Sequence, residues 1–135
     1  MSLATWFKHL REPKSSKRLD DLLMSVALYL RGQPGTDNFY PRLVAKALSE
    51  SEMAALTALS VLEKRGITKH HYGVHCSRKN VALEEYDSLE SIPPSLLCKY
   101  CEEDHTADND GWKIDLFFTV DRDRLARFTS AAKAA

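Results

Sequence analysis

Cys98-Lys99-Tyr100-Cys101-Glu102-Glu103-Asp104-His105 is the stretch around which the second half of this chain is organised. Two thiols separated by two residues can clamp one metal ion from a tight turn, and a histidine four positions later can fold back onto the same ion. Cys76, the third and last cysteine, completes a four-donor shell. The donor set Cys76, Cys98, Cys101 and His105 points to a closed, structural Zn2+ site. His71 and His75 are the alternatives for the fourth ligand, although His75 adjoins Cys76 and so falls on the opposite face of a strand.

Period-two patterning lies on both sides of this knuckle. From Thr68 to Cys76, Tyr72, Val74 and Cys76 share one strand face, while His71, Gly73 and His75 share the other. Val81 to Tyr86 reads as a second strand. Further on, Trp112, Ile114, Leu116, Phe118 and Val120 alternate with Lys113, Asp115, Phe117 and Thr119, which gives the clearest strand and puts Phe117 on its polar face. Residues 122–135 form an alanine-rich tail with a short helix through Leu125 and Phe128.

Upstream, the spacing becomes helical. Leu19, Leu22, Leu23, Val26 and Leu30 line one face of a helix that Ser15 or Ser16 can cap and that Gly32 and Pro34 end. Pro41 suits the first turn of a short helix carrying Leu43, Val44, Ala47 and Leu48. Ser49 and Glu52 have capping-box spacing, so a third helix is expected from Ser49, with Met53, Leu56, Leu59 and Leu62 on its buried side and Gly66 as its left-handed terminator. The expected helical core is Leu22, Val26, Leu43, Leu56, Leu59 and Leu62. Residues 1–16, with Trp6, Phe7 and Leu10 and a basic stretch interrupted by Pro13, read as an N-terminal arm.

The runs Leu43-Val44-Ala45-Lys46-Ala47-Leu48-Ser49 and Ala58-Leu59-Ser60-Val61-Leu62-Glu63-Lys64-Arg65-Gly66-Ile67 resemble the second and third helices of bacterial winged helix-turn-helix domains. The order that follows, strand, cysteine, strand, knuckle, polar turn, strand, is similar to the zinc-ribbon tail found after such domains. Two departures stand out: such ribbons carry two C-x-x-C knuckles, whereas Lys79 stands three residues after Cys76, and Glu102 replaces the usual glycine after the second knuckle. The resemblance implies an α+β protein, with a three-helix winged-helix unit over residues 17–75 and a small antiparallel β zinc-ribbon-like module over residues 76–121.

The 135 residues suffice for one ordinary domain, or for a small helical domain with a metal-stapled module attached. A hydrophobic share of 44% and a charged share of 28% fit a soluble globular protein with a packed core. The first residues contain no apolar run of signal-peptide length and no stretch approaches a membrane span, so a cytoplasmic protein is expected. Three cysteines with one close pair fit a reducing compartment better than a disulfide framework. Net charge is zero but uneven: residues 1–80 carry 13 Lys/Arg against 7 Asp/Glu, and residues 81–135 carry 6 against 12.

That asymmetry makes the first half the candidate nucleic-acid face. Lys17, Arg18, Arg42, Lys46, Lys69, His70, Arg78 and Lys79 are the residues expected to meet double-stranded DNA, through arm, second helix and wing. The third helix opposes sequence-specific reading, because its leading positions include Glu50 and Glu52 and offer no Arg, Asn or Gln to a base edge. The competing expectation is a protein-binding adaptor, with Phe39, Tyr40 and Phe117 as apolar groups that a partner could cover. Enzyme readings are weaker. The acidic residues after Cys101 disfavour a low-pKa redox pair, a Cys98 or Cys101 nucleophile with His105 lacks an orienting group, and a catalytic zinc would need Glu102 or Glu103 as base beside an open position.

Overall fold

Leu23, Val26, Ala27 and Leu30 form a wholly buried stripe along helix α1 (Lys17–Arg31), because residues three and four apart lie one above the other on a helix. The computed structural model describes residues 17–106 and 111–134, so the N-terminal arm and its capping serines lie outside the described residues. Helix α2 (Pro41–Leu48) starts on Pro41 as expected, and helix α3 (Glu52–Lys64) follows. All three pack together, with Val44, Ala45, Ala55, Ala58, Leu59 and Leu62 buried between them. The alanines leave room for the close approach of helix backbones.

The helix boundary at Ser49 differs from the capping-box expectation. Ser49 has φ 54° and closes α2, with the Glu50 N–H donating back to the Ala45 carbonyl at 2.9 Å. Ser51 is the residue that starts α3, accepting the Ala54 N–H on its hydroxyl at 3.0 Å. Met53 and Leu43 are 54% and 50% exposed rather than inside, and Leu22 and Leu56 are only half-buried. Gly66 does terminate α3, at φ 76°, with the Ile67 N–H returning to Leu62; a side chain there would also run into the Arg124 guanidinium.

Strands β1 (Thr68–Cys76), β2 (Val81–Tyr86) and β5 (Trp112–Val120) form a three-stranded sheet in the order β2-β1-β5, and β3 (Ser95–Cys98) pairs with β4 (Glu103–Thr106) in a separate antiparallel hairpin. That hairpin was not legible as two strands. β1 and β2 are antiparallel with a bulge between Val74 and His75. Helix α4 (Arg122–Ala134) bears out the short helix expected through Leu125 and Phe128 and extends it to 13 residues.

The chain clusters into two compact units, Met1–Lys69 with Phe118–Ala135, and His70–Phe117. In the first, α4 buries Leu125 and lies against α1, where the Arg31 guanidinium donates to the Thr129 hydroxyl at 2.7 Å. Arg122 donates to the carbonyls of Leu30, Gln33 and Thr36 at 2.7–2.9 Å and lies over the Phe39 ring. Phe39 is itself buried, exchanging both backbone hydrogen bonds with Phe118 at 2.8 Å, so it is a core residue and not a surface for a partner. Phe117 is buried too, in the second unit, stacked on His71. Adjacent side chains of β5 point to opposite faces, yet Phe117, stacked on His71, and Phe118 are both buried, so both faces of the strand are covered at this point. Ile114, expected inside, is exposed.

Candidate metal centre

β1 delivers Cys76 to its C-terminal end, from which the chain turns through Ser77–Arg78–Lys79–Asn80 into β2. A second turn, Cys98 to Glu102, joins β3 to β4, and β4 carries His105 opposite Leu96. These elements all belong to the unit His70–Phe117. The sulfur atoms of Cys76, Cys98 and Cys101 and a ring nitrogen of His105 lie within 4.8 Å of one another. Cys76, Cys98 and His105 are fully buried and Cys101 is half-buried.

Two of the separations are 3.5 Å between the Cys76 and Cys101 sulfurs and 3.4 Å from Cys76 Sγ to His105 Nε2. A tetrahedral ion about 2.3 Å from sulfur and about 2.0–2.1 Å from nitrogen separates its ligand atoms by about 3.5–3.8 Å. The cluster therefore has the size of one coordination shell. Among the described residues it is the one group of His, Cys, Asp and Glu side chains so arranged.

Without an ion the thiols share charge unequally. Burial acts to raise the Cys76 pKa, but donation from the Lys79 backbone N–H, the Cys101 thiol, the Arg78 backbone N–H and His105 outweighs it and brings the thiol from 9.0 to about 6. Burial, hydrogen bonds to Cys76 and Cys98, and repulsion from both push Cys101 up to about 11. Cys76 therefore takes a negative charge more readily than Cys101, and a cation between them would favour both thiolates.

The alternative fourth ligands are engaged elsewhere. His71 Nδ1 is 3.3 Å from the Asp87 carboxylate and its ring stacks on Phe117, while His75 Nε2 is 3.6 Å from Asp115. Sequence reasoning missed an ion pair between Arg78 and Glu103, which ties the first turn to β4. Nothing in the spacing announces it, since 25 residues separate the two.

The basic residues singled out from the sequence are divided between the two units. Lys17 and Arg18 begin α1, Arg42 and Lys46 are on α2 and Lys69 is on β1, all in the first unit. His70, half-buried and edge-on to Tyr72, belongs with Arg78 and Lys79 to the second. Arg18, Arg42, Lys46, Lys69 and Lys79 are exposed, and Arg78 is engaged by Glu103. Among the described residues no helix is long and apolar enough to cross a membrane. No protein-family model, curated protein or solved structure matches the chain.

Proposed function

We propose that this chain is a non-enzymatic binding protein whose smaller unit is held together by a structural Zn2+ on Cys76, Cys98, Cys101 and His105. The observation that carries the metal is the composition of that unit's core. Among the described residues of His70–Phe117 the buried hydrophobic side chains are Val74, Phe117, Cys76 and Cys98, so the donor cluster stands where a small domain needs apolar volume or a staple. Three thiols and an imidazole favour a borderline-soft tetrahedral ion. Three thiolates would leave the zinc complex with net negative charge, a poor Lewis acid, and among the described residues no carboxylate joins the cluster to act as a base. Elemental analysis of protein never exposed to chelator should give one zinc per chain; less than about a tenth of an equivalent would sink the metal reading.

The partner we favour is duplex nucleic acid, met through phosphates by a winged-helix arrangement. Support comes from the helix order, from the Phe39–Phe118 bridge between the first two helices and a sheet strand, and from the β1–β2 hairpin that carries Lys79 at its tip and Lys69 near its base. Because α3 presents Glu52 and Met53, binding would be weakly selective for sequence. Replacing Lys69 and Lys79 by alanine should lower the slope of log K against log salt by about 1.8, two phosphate contacts at about 0.9 each. Exposed Leu43 and Met53 on neighbouring helices favour the second reading, a protein-binding adaptor. Absence of any binding to mixed-sequence duplex at low salt would decide for it.

A further inference from the structure

The two turns that bring cysteines to the cluster are built alike. In each, a cysteine opens the turn and the residue four positions on takes a left-handed backbone, φ 53° at Asn80 and 58° at Glu102. In each, that residue's N–H donates to the cysteine carbonyl, at 2.8 Å from Asn80 to Cys76 and 2.7 Å from Glu102 to Cys98. Position 79 of the first turn therefore corresponds to position 101 of the second. The second turn places a thiol there. The first places Lys79, whose backbone nitrogen is 3.5 Å from Cys76 Sγ and whose side chain is exposed.

The fourth donor comes instead from His105. Its Nε2 faces Cys76, but its Nδ1 is buried with no hydrogen-bond partner among the described residues. A metal-bound histidine ordinarily donates its other N–H to an acceptor, which fixes the ring and raises its basicity; loss of such a partner costs about 10–100-fold in metal affinity. An imidazole bound through Nε2 here keeps its second N–H buried and unsatisfied. His105 is thus a correctly placed but poorly supported ligand, whereas position 79 is a supported place without a donor.

Resting on the metal reading above, we infer that His105 is the displaceable ligand of the centre, and that the corner it fills is one a thiolate can take over from position 79. The three native thiolates hold the ion and the imidazole completes its shell. A thiol introduced at position 79 loses its proton to solvent, binds the ion and releases the ring.

Titration of the full-length chain with Co2+, which occupies tetrahedral zinc sites and reports each bound thiolate by sulfur-to-metal charge-transfer absorption, separates the possibilities. The unaltered chain should show three thiolates. Lys79→Cys should show four, bind Co2+ about tenfold or more tightly, and keep that signature when His105→Ala is added. In the unaltered background, His105→Ala should weaken binding by about tenfold or less, and Cys98→Ala by about 100-fold or more. Lys79 is exposed, so its replacement opens no cavity, and amide-exchange protection across residues 70–117 of the cobalt-loaded chain checks the folding of the His105 variant. A Lys79→Cys chain that still shows three thiolates, or that loses cobalt when His105 is removed, overturns the inference and leaves the metal reading standing. No cobalt uptake by the unaltered chain overturns both.

Discussion

The two units solve the problem of stability by different means. The unit formed by Met1–Lys69 and Phe118–Ala135 buries Leu23, Val26, Leu30, Phe39, Val44, Leu59, Leu62, Ile67, Phe118 and Leu125, an apolar core of ordinary kind. Among its described residues the unit His70–Phe117 buries two ordinary apolar side chains, Val74 and Phe117, around a cluster of three thiols and one imidazole. A chain segment of that size with so little apolar burial cannot offset its conformational entropy unaided. One unit is therefore expected to fold by hydrophobic burial and the other by ligation, and perturbations should separate them.

Metal removal should have the largest effect. A chelator, or Cys98→Ser, should abolish amide-exchange protection across residues 70–117 while α1 to α3 stay protected. Uniform loss across both units would break the comparison. The converse perturbation is Leu59→Ala, which deletes a fully buried side chain of α3 and should cost about 2–5 kcal/mol in denaturant titration with metal stoichiometry unchanged. A loss below about 0.5 kcal/mol would mean that this side chain is not part of a tight core. Smaller still, Ser51→Ala should cost about 1 kcal/mol by removing the α3 cap, whereas Ser49→Ala, outside that role, should leave the start of the helix untouched. Thermal unfolding of the two variants distinguishes them.

The same contrast explains what the sequence could disclose. Helices α1 and α2 and strands β1, β2 and β5 were legible because periodicity and the Pro41 and Gly66 signals act over a few residues. The donor set was legible because the residue types at spacings of three and four are short-range as well. The start of α3 was misplaced because Ser49 and Ser51 are both competent caps, and left-handed φ at Ser49, invisible in a residue that is not glycine, decides between them. The integration of α4 with α1 was hidden for another reason. It rests on Arg122 reaching three carbonyls some 90 residues away and on the Arg31–Thr129 bond, contacts of long separation that leave no local pattern. Phe117 was misjudged because alternation assumes that only one face of a strand is covered.

The smallest effect separates the two cysteine turns, which share a backbone but not a residue at the left-handed position. Asparagine visits that region readily, so Asn80 is little strained, whereas a longer side chain such as Glu102 costs about 1–2 kcal/mol there. Glycine removes the strain but loses about 0.5–1 kcal/mol of stability through the freedom it gives the unfolded chain. Glu102→Gly should therefore raise the stability of the metal-loaded protein by about 0.5–1 kcal/mol, and Asn80→Gly should leave it unchanged or lower it slightly. Both residues are exposed and neither supplies a metal donor, so the change should appear in the denaturation midpoint with the cobalt spectrum unaltered. Equal shifts in the two variants would show that the turns are held by their carbonyl hydrogen bonds alone, irrespective of the side chain at the left-handed position. A gain confined to Glu102→Gly would place that strain in the second turn, the one that supplies two of the three thiols.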